Sequence, residues 1–275
     1  MRIIFVFLFV SIIFNNLAYS QADTIQESHQ IYRVNYYIDV PITLAGLLAS
    51  KYGTDYLRAR DPKNLDRIAT LRPYNVWWFD RGAARQNPDK ADDYINVSNK
   101  LMHGAMFAPA LMFLDAEVRK IWFDYSVLYF EAQSINAAAY LAGAIPVSRL
   151  RPFMYNPDEP MDRKLGRNTT NSFFSGHASV VATSTFFMVK VYYDLHPEAH
   201  NRALWYSLAV IPSAITGYCR YKAAKHFPSD ILMGIAVGTA TGLLVPEWHK
   251  RNDGKYAFYP TYDGKAAGLY ARIKF

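Results

Sequence analysis

The chain has 275 residues, of which 51% are hydrophobic and 16% aromatic, enough for one large domain or two small ones with a substantial core. Its formal charge of +7 suits an anionic partner, but the 30 Lys and Arg residues are scattered, and the lack of a basic block argues against a nucleic-acid partner. Cys219 is the single cysteine, so an intramolecular disulfide is excluded and packing must stabilise the fold.

Arg2, the apolar run 3–14 and the small-residue site Ala18-Tyr19-Ser20 read as a secretory signal over residues 1–20, with a retained membrane anchor as the alternative. Either places the rest of the chain outside the cytoplasm, in the cell envelope. Residues 21–99 read as an N-terminal extension, with a polar, poorly ordered start at 21–38, in which Tyr32, Tyr36 and Tyr37 are available to pack, and a charged stretch at 51–99. Within it, Trp77-Trp78-Phe79 fits an amphipathic belt at a membrane interface or a loop anchored into the core.

Helices are expected to dominate residues 100–250. The charge-free stretches 101–114, 132–148, 203–219 and 231–246, with the periodic stretch 178–195, predict an all-α bundle of about five to six core helices. None is a clean run of about eighteen apolar residues, so partial membrane embedding and packing in water both fit, with membrane association slightly favoured. The most lipid-like stretch, "ILMGIAVGTATGLLVP", has small residues that allow close helix contact. In the tail, 251–275, spaced aromatic residues and the Asp263-Gly264 turn signal predict a short β-hairpin.

Three short segments carry residues suited to chemistry. In "CRYKAAKHFPSD", Arg220, His226 and Asp230 follow the order Arg-x5-His-x3-Asp. Pro228 favours a first helical turn, which puts His226 just before a helix and Asp230 near its base. There Asp230 is expected to accept a hydrogen bond from one imidazole nitrogen and leave the other nucleophilic. A structural helix start is the alternative. In "NSFFSGHASVV", Gly176 lets backbone approach a ligand, Ser175 adds a hydroxyl donor, and His177 is placed to exchange a proton at a helix mouth. In "SRLRPF", Arg149 and Arg151 offer planar donor forks for a multi-oxygen anion, or simply cations at a helix C-terminus.

Taken in order, Arg151-Pro152, Ser175-Gly176-His177 and the Arg220–His226–Asp230 set resemble the type 2 phosphatidic acid phosphatase superfamily over roughly residues 120–246. That superfamily also holds bacterial nonspecific acid phosphatases and vanadium haloperoxidases. Its signatures are Lys-x6-Arg-Pro, Pro-Ser-Gly-His and Ser-Arg-x5-His-x3-Asp. The resemblance implies that His226 is the nucleophile, forming a phosphohistidine, that Asp230 orients it, and that His177 protonates the leaving oxygen. Arg151, Arg220, Ser175 and Gly176 would hold the phosphate, with no metal or other cofactor. Phe174 and Cys219 replace a proline and a serine of the pattern, and Ala144 stands where the phosphate-binding lysine is expected, with Arg149, Lys222 and Lys225 as substitute cations.

The implied function is an exported, metal-independent phosphatase acting on a phosphorylated lipid or a small phosphate ester, periplasmic or in the inner membrane with its site on the outer side. The rivals are a vanadium-dependent haloperoxidase and a non-catalytic envelope protein that binds anionic lipid. Other histidines fit structural places: His103 in the core, His29 and His249 at the surface, and His196 and His200 at a solvated turn rather than a metal site. Asn168-Thr169-Thr170 is a formal glycosylation sequon whose sugar would crowd the site.

Overall fold

The computed structural model describes residues 31–60, 65–251, 256–262 and 267–273; the expected signal at 1–20 and His29 lie outside them. Among the described residues the chain forms nine α-helices: α1 Tyr36–Ala59, α2 Leu65–Thr70, α3 Ala91–Phe107, α4 Ala116–Lys120, α5 Trp122–Val147, α6 Met161–Lys164, α7 Gly176–Leu195, α8 Arg202–Lys222 and α9 Pro228–His249. The all-α class is as expected. Two strands, β1 Tyr256–Tyr262 and β2 Ala267–Ile273, pair antiparallel with Tyr256 opposite Ile273.

The N-terminal extension holds more structure than its polar composition suggests. Tyr32 is buried and its hydroxyl donates to Asp194 Oδ2 at 2.8 Å. Asn35 caps α1 by accepting from the Tyr37 amide, which satisfies one of the orphan donors of the first turn. Residues 31–38 are therefore ordered, contrary to expectation. Helix α1 then lies against α5 so closely that a Cβ at Gly46 would fall 1.9 Å from Ser134 Oγ. Helix α3 was hidden in a charged stretch and begins ten residues before the predicted apolar run.

The tightest packing joins α9 to α7. Gly234, Gly238 and Gly242 recur every fourth residue and so share one helix face. A Cβ at each would meet a backbone carbonyl of the facing segment: Ser175 O at 2.5 Å, Ser179 O at 2.2 Å and Thr183 O at 2.7 Å. Small residues let the two backbones touch, as the glycine-rich stretch predicted. Tyr125, Leu128, Tyr129, Phe187, Val191 and Val245 form the main buried apolar cluster between α5, α7 and α9.

Elsewhere the usual polarity of a helix is reversed. On α8, Leu204, Leu208, Ile211, Ile215 and Tyr218 recur at helical spacing and are exposed, while Ser213, Thr216, Gly217 and Arg220 are buried. Trp77, Trp78 and Phe79 are also exposed and touch each other edge-on or tilted, which rules out the core-anchored loop. His103 is exposed as well, correcting its core placement. It lies five residues beyond the buried Ser98, about 140° further round α3 at 3.6 residues per turn, so it points away from the packed face.

Candidate active site

Backbone hydrogen bonds knit the three motif segments together at one end of the bundle. Arg151 N donates to Thr169 O at 2.8 Å, and Ser172 N donates to Arg149 O at 3.0 Å, which ties the arginine segment to the loop before α7. Ser175 N donates to Asp230 O at 3.0 Å, joining that loop to the first turn of α9. Phe153 N donates to Ala224 O at 3.1 Å, closing the ring of contacts at the α8–α9 turn. Residues up to 71 positions apart thus meet without any side chain being required.

His226 sits in that turn and is 2% exposed. Its Nδ1 lies 2.6 Å from the Ser172 carbonyl oxygen. A carbonyl can only accept, so Nδ1 carries the hydrogen and Nε2 keeps its lone pair. Burial first, then the Arg151 and Arg220 guanidiniums, push His226 well below the usual imidazole range and keep the ring neutral.

Asp230 does not play the part the sequence suggested. Its Oδ2 accepts from Ser172 Oγ at 2.6 Å and from the Phe227 amide at 3.0 Å, and its Oδ1 accepts from Arg149 Nη1 at 2.5 Å. The side chain of Asp230 therefore fixes Ser172, whose backbone carbonyl holds His226, and the orientation is passed on at one remove. Arg149 is occupied in the same network, with its Nη2 on Asp80 Oδ2 at 2.8 Å. It is thus not the substitute phosphate-binding cation. Ser229 completes the network through its amide, on Asp80 Oδ1 at 3.0 Å, and its hydroxyl, on Asp80 Oδ2 at 2.6 Å.

The expected anion-holding residues are buried with donors to spare. Arg151 gives Nε to Asn171 Oδ1 at 3.0 Å and Nη2 to Asn168 Oδ1 at 3.3 Å, while its Nη1 is buried without a hydrogen-bond partner. Arg220 gives Nη1 to Ser98 Oγ at 3.3 Å, and its Nε is likewise buried and unpartnered. Ser175 Oγ is a third such group. Buried polar atoms are normally paired, so three unmet groups among these residues are suited to bond a ligand's oxygens. Burial lowers Arg151 to about 10, still charged at neutral pH. Arg151 holds the Oδ1 of Asn168, so the sequon's asparagine adjoins the site.

Gly176 opens α7, and a Cβ there would meet the Tyr140 ring at 3.5 Å. His177 follows, its Nε2 2.8 Å from Asn99 Oδ1 on α3. Ala144 is buried at 1% exposure, so the expected lysine position holds a methyl group inside the bundle. Lys225, another of the substitute cations, has its Nζ 4.8 Å from the Phe153 ring centre, and burial first, then the nearby Arg151, Arg163 and Arg220, lower it to about 6, so it is mostly neutral at neutral pH while the site is empty. Ser98, Asn99, Ser172 and Asp80 are supporting residues that motif reading did not assign, and none of them carried a signal in the sequence.

The remaining histidines divide. His196 Nε2 pairs with Asp115 Oδ2 at 2.9 Å in a turn, as a structural residue, while His249 is half-buried between two carboxylates rather than on the surface.

Residues 127–253 match the family model of the PAP2 superfamily, as the three motifs led one to expect. No match was found among curated proteins. Among solved structures the chain is similar to a transmembrane PAP2 type phosphatidylglycerolphosphate phosphatase from Bacillus subtilis. The two are 18% identical, the alignment covers 77% of this chain and 96% of that one, and the TM-score is 0.44.

Proposed function

We propose that the protein is a phosphoric ester hydrolase that works through a phosphohistidine at His226 and acts on a phosphorylated lipid. The observation that carries this reading is the pairing of a neutral imidazole, tied at Nδ1, with unpartnered donors on Arg151, Arg220 and Ser175. The phosphate oxygens would take those donors, and the N-terminus of α7 would add its amides. His226 Nε2 attacks phosphorus, forming a P–N bond as the P–O bond to the leaving group breaks. His177, carrying a proton taken up together with the phosphate dianion, gives that proton to the leaving oxygen. It then takes a proton from water, whose oxygen displaces His226 and releases phosphate. Asn99 holds His177 in place, and Lys225 supplies the cation absent at Ala144. Two guanidiniums and a lysine can balance the charge on a phosphate without another group.

The lipid assignment rests on the outer surface. Apolar side chains cover the outward faces of α1, α8 and α9, and α9 alone among the described helices is long and apolar enough to cross a membrane. Exposed apolar surface on this scale fits acyl chains better than water. A phosphate pocket at one end of such a bundle lies where a lipid headgroup would. An exported protein would present it on the outer side of the inner membrane.

Phosphate release, measured with a chelator present, tests the proposal. Wild-type protein in detergent should hydrolyse a lipid phosphate, and His226→Ala and His177→Ala should each lose about a hundredfold or more, the scale of a general acid or nucleophile. Undiminished release in both variants would overturn the mechanism. Release from water-soluble esters alone would overturn the lipid assignment.

A further inference from the structure

At the end of the bundle opposite His226, three side chains from three helices meet. They are Asp39 in the first turn of α1, Glu131 on α5 and His249, the last residue of α9. One ligand-type atom from each lies within 4.8 Å of the others. His249 Nε2 is 3.5 Å from Asp39 Oδ2 and 3.4 Å from Glu131 Oε2. Helix α9 spans its 22 residues between this cluster and the catalytic turn, roughly 33 Å at about 1.5 Å per residue, so the two are separate.

We propose that Asp39, Glu131 and His249 form a binding site for a divalent transition-metal ion, with zinc the best fit. His249 Nδ1 lies 2.9 Å from the Val245 carbonyl oxygen, which places the hydrogen on Nδ1 and turns the Nε2 lone pair toward the two carboxylates. A backbone carbonyl on the far nitrogen is the usual way a ligating histidine is oriented. Glu131 Oε2 is buried without a hydrogen-bond partner, on a residue only 8% exposed, so an uncompensated acceptor faces the same spot. Asp39 Oδ2 is held by the Asn35 amide at 2.7 Å, which fixes the third donor atom.

The separations also favour an ion over direct bonding. A charged N–H···O bond would draw the atoms to about 2.7–2.9 Å. Donors arranged tetrahedrally at about 2.0–2.1 Å from a zinc ion stand about 3.3–3.5 Å apart, the spacing His249 shows to both carboxylates. One imidazole and two carboxylates leave a fourth position for water. Because the three residues come from the first, fifth and ninth helices, the ion would clamp the end of the bundle without touching the reaction.

The test uses tag-free, full-length protein in detergent, stripped with a chelator and dialysed against zinc. Wild type and His226→Ala should each retain about one zinc per chain, with a raised melting temperature. His249→Gln and Glu131→Gln should lose both the retained zinc and the zinc-dependent rise. Should either variant fail to fold, cobalt added to the stripped wild type should give visible absorption of a four-coordinate site that zinc abolishes. No stoichiometric zinc in wild type, zinc retained in both variants, or no cobalt spectrum would overturn the site. Phosphate release, read separately with a chelator, does not enter this test.

Discussion

The Asp230 carboxylate accepts from Arg149, Ser172 and Phe227, while the hydrogen on His226 goes to a main-chain carbonyl. His226 and Asp230 were recognisable from spacing, but the link between them passes through the backbone of Ser172, an atom that residue types do not reveal. For the missing lysine, Lys225 is the proposed replacement. Its pKa falls from the ordinary 10.5 to about 6 in the folded chain, so the unfolded chain binds the extra proton between those values. Stability of the empty protein should therefore rise with pH across that window, and Lys225→Met should flatten the slope. At pH 7.5 an anion in the pocket would recharge the lysine. Calorimetry in buffers of different ionisation enthalpy should show uptake of about one proton when orthovanadate binds, lost in Lys225→Met together with about tenfold to a hundredfold of affinity. Equal uptake and affinity in the variant would remove Lys225 from the site.

At the scale of elements, the contact between α7 and α9 holds the turns that carry His177 and His226 in register. Gly234 faces the carbonyl of Ser175, and Ser175 N in turn bonds Asp230 O, so the helix contact and the site share atoms. Gly238→Ala would put a methyl carbon 2.2 Å from Ser179 O, a backbone atom that cannot swing aside. The expected cost is about 1–3 kcal/mol, read as a lower midpoint in chemical or thermal unfolding, with activity falling in parallel. An unchanged midpoint would mean that the two helices are not packed this closely. The apolar runs of α5, α7, α8 and α9 were legible because their periodicity survives in the sequence. Helices α1 and α3 were not: Asp39 and Pro41 interrupt the start of α1, and Asp92, Asp93 and the site-facing Ser98 and Asn99 break the apolar pattern of α3. Thus Ser98 and Asn99, which hold Arg220 and His177, were hidden in a stretch that reads as charged extension.

Across the whole molecule, the inversion of α8 is informative. Its exposed stripe of Leu204, Leu208, Ile211, Ile215 and Tyr218 would be costly in water, whereas the buried Ser213 and Thr216 give their hydroxyls to Val210 O and Pro212 O. Composition alone could not separate a lipid-facing stripe from a core-facing one, since both repeat every three or four residues. Which face is covered decides it. Membranes washed with alkaline carbonate should therefore keep the protein in the pellet, and its release into the supernatant would contradict an embedded bundle.

The central claim is that His226 carries the phosphoryl group, and trapping that group tests it most directly. Enzyme mixed with a substrate labelled in its phosphate and quenched in alkali should hold an acid-labile label. Peptide mapping should place that label on His226. With a substrate whose leaving group departs without a proton, the label should accumulate in His177→Ala, where water is no longer activated, and be absent from His226→Ala. Phosphate release without any labelled enzyme, or a label that persists in His226→Ala, would contradict the account.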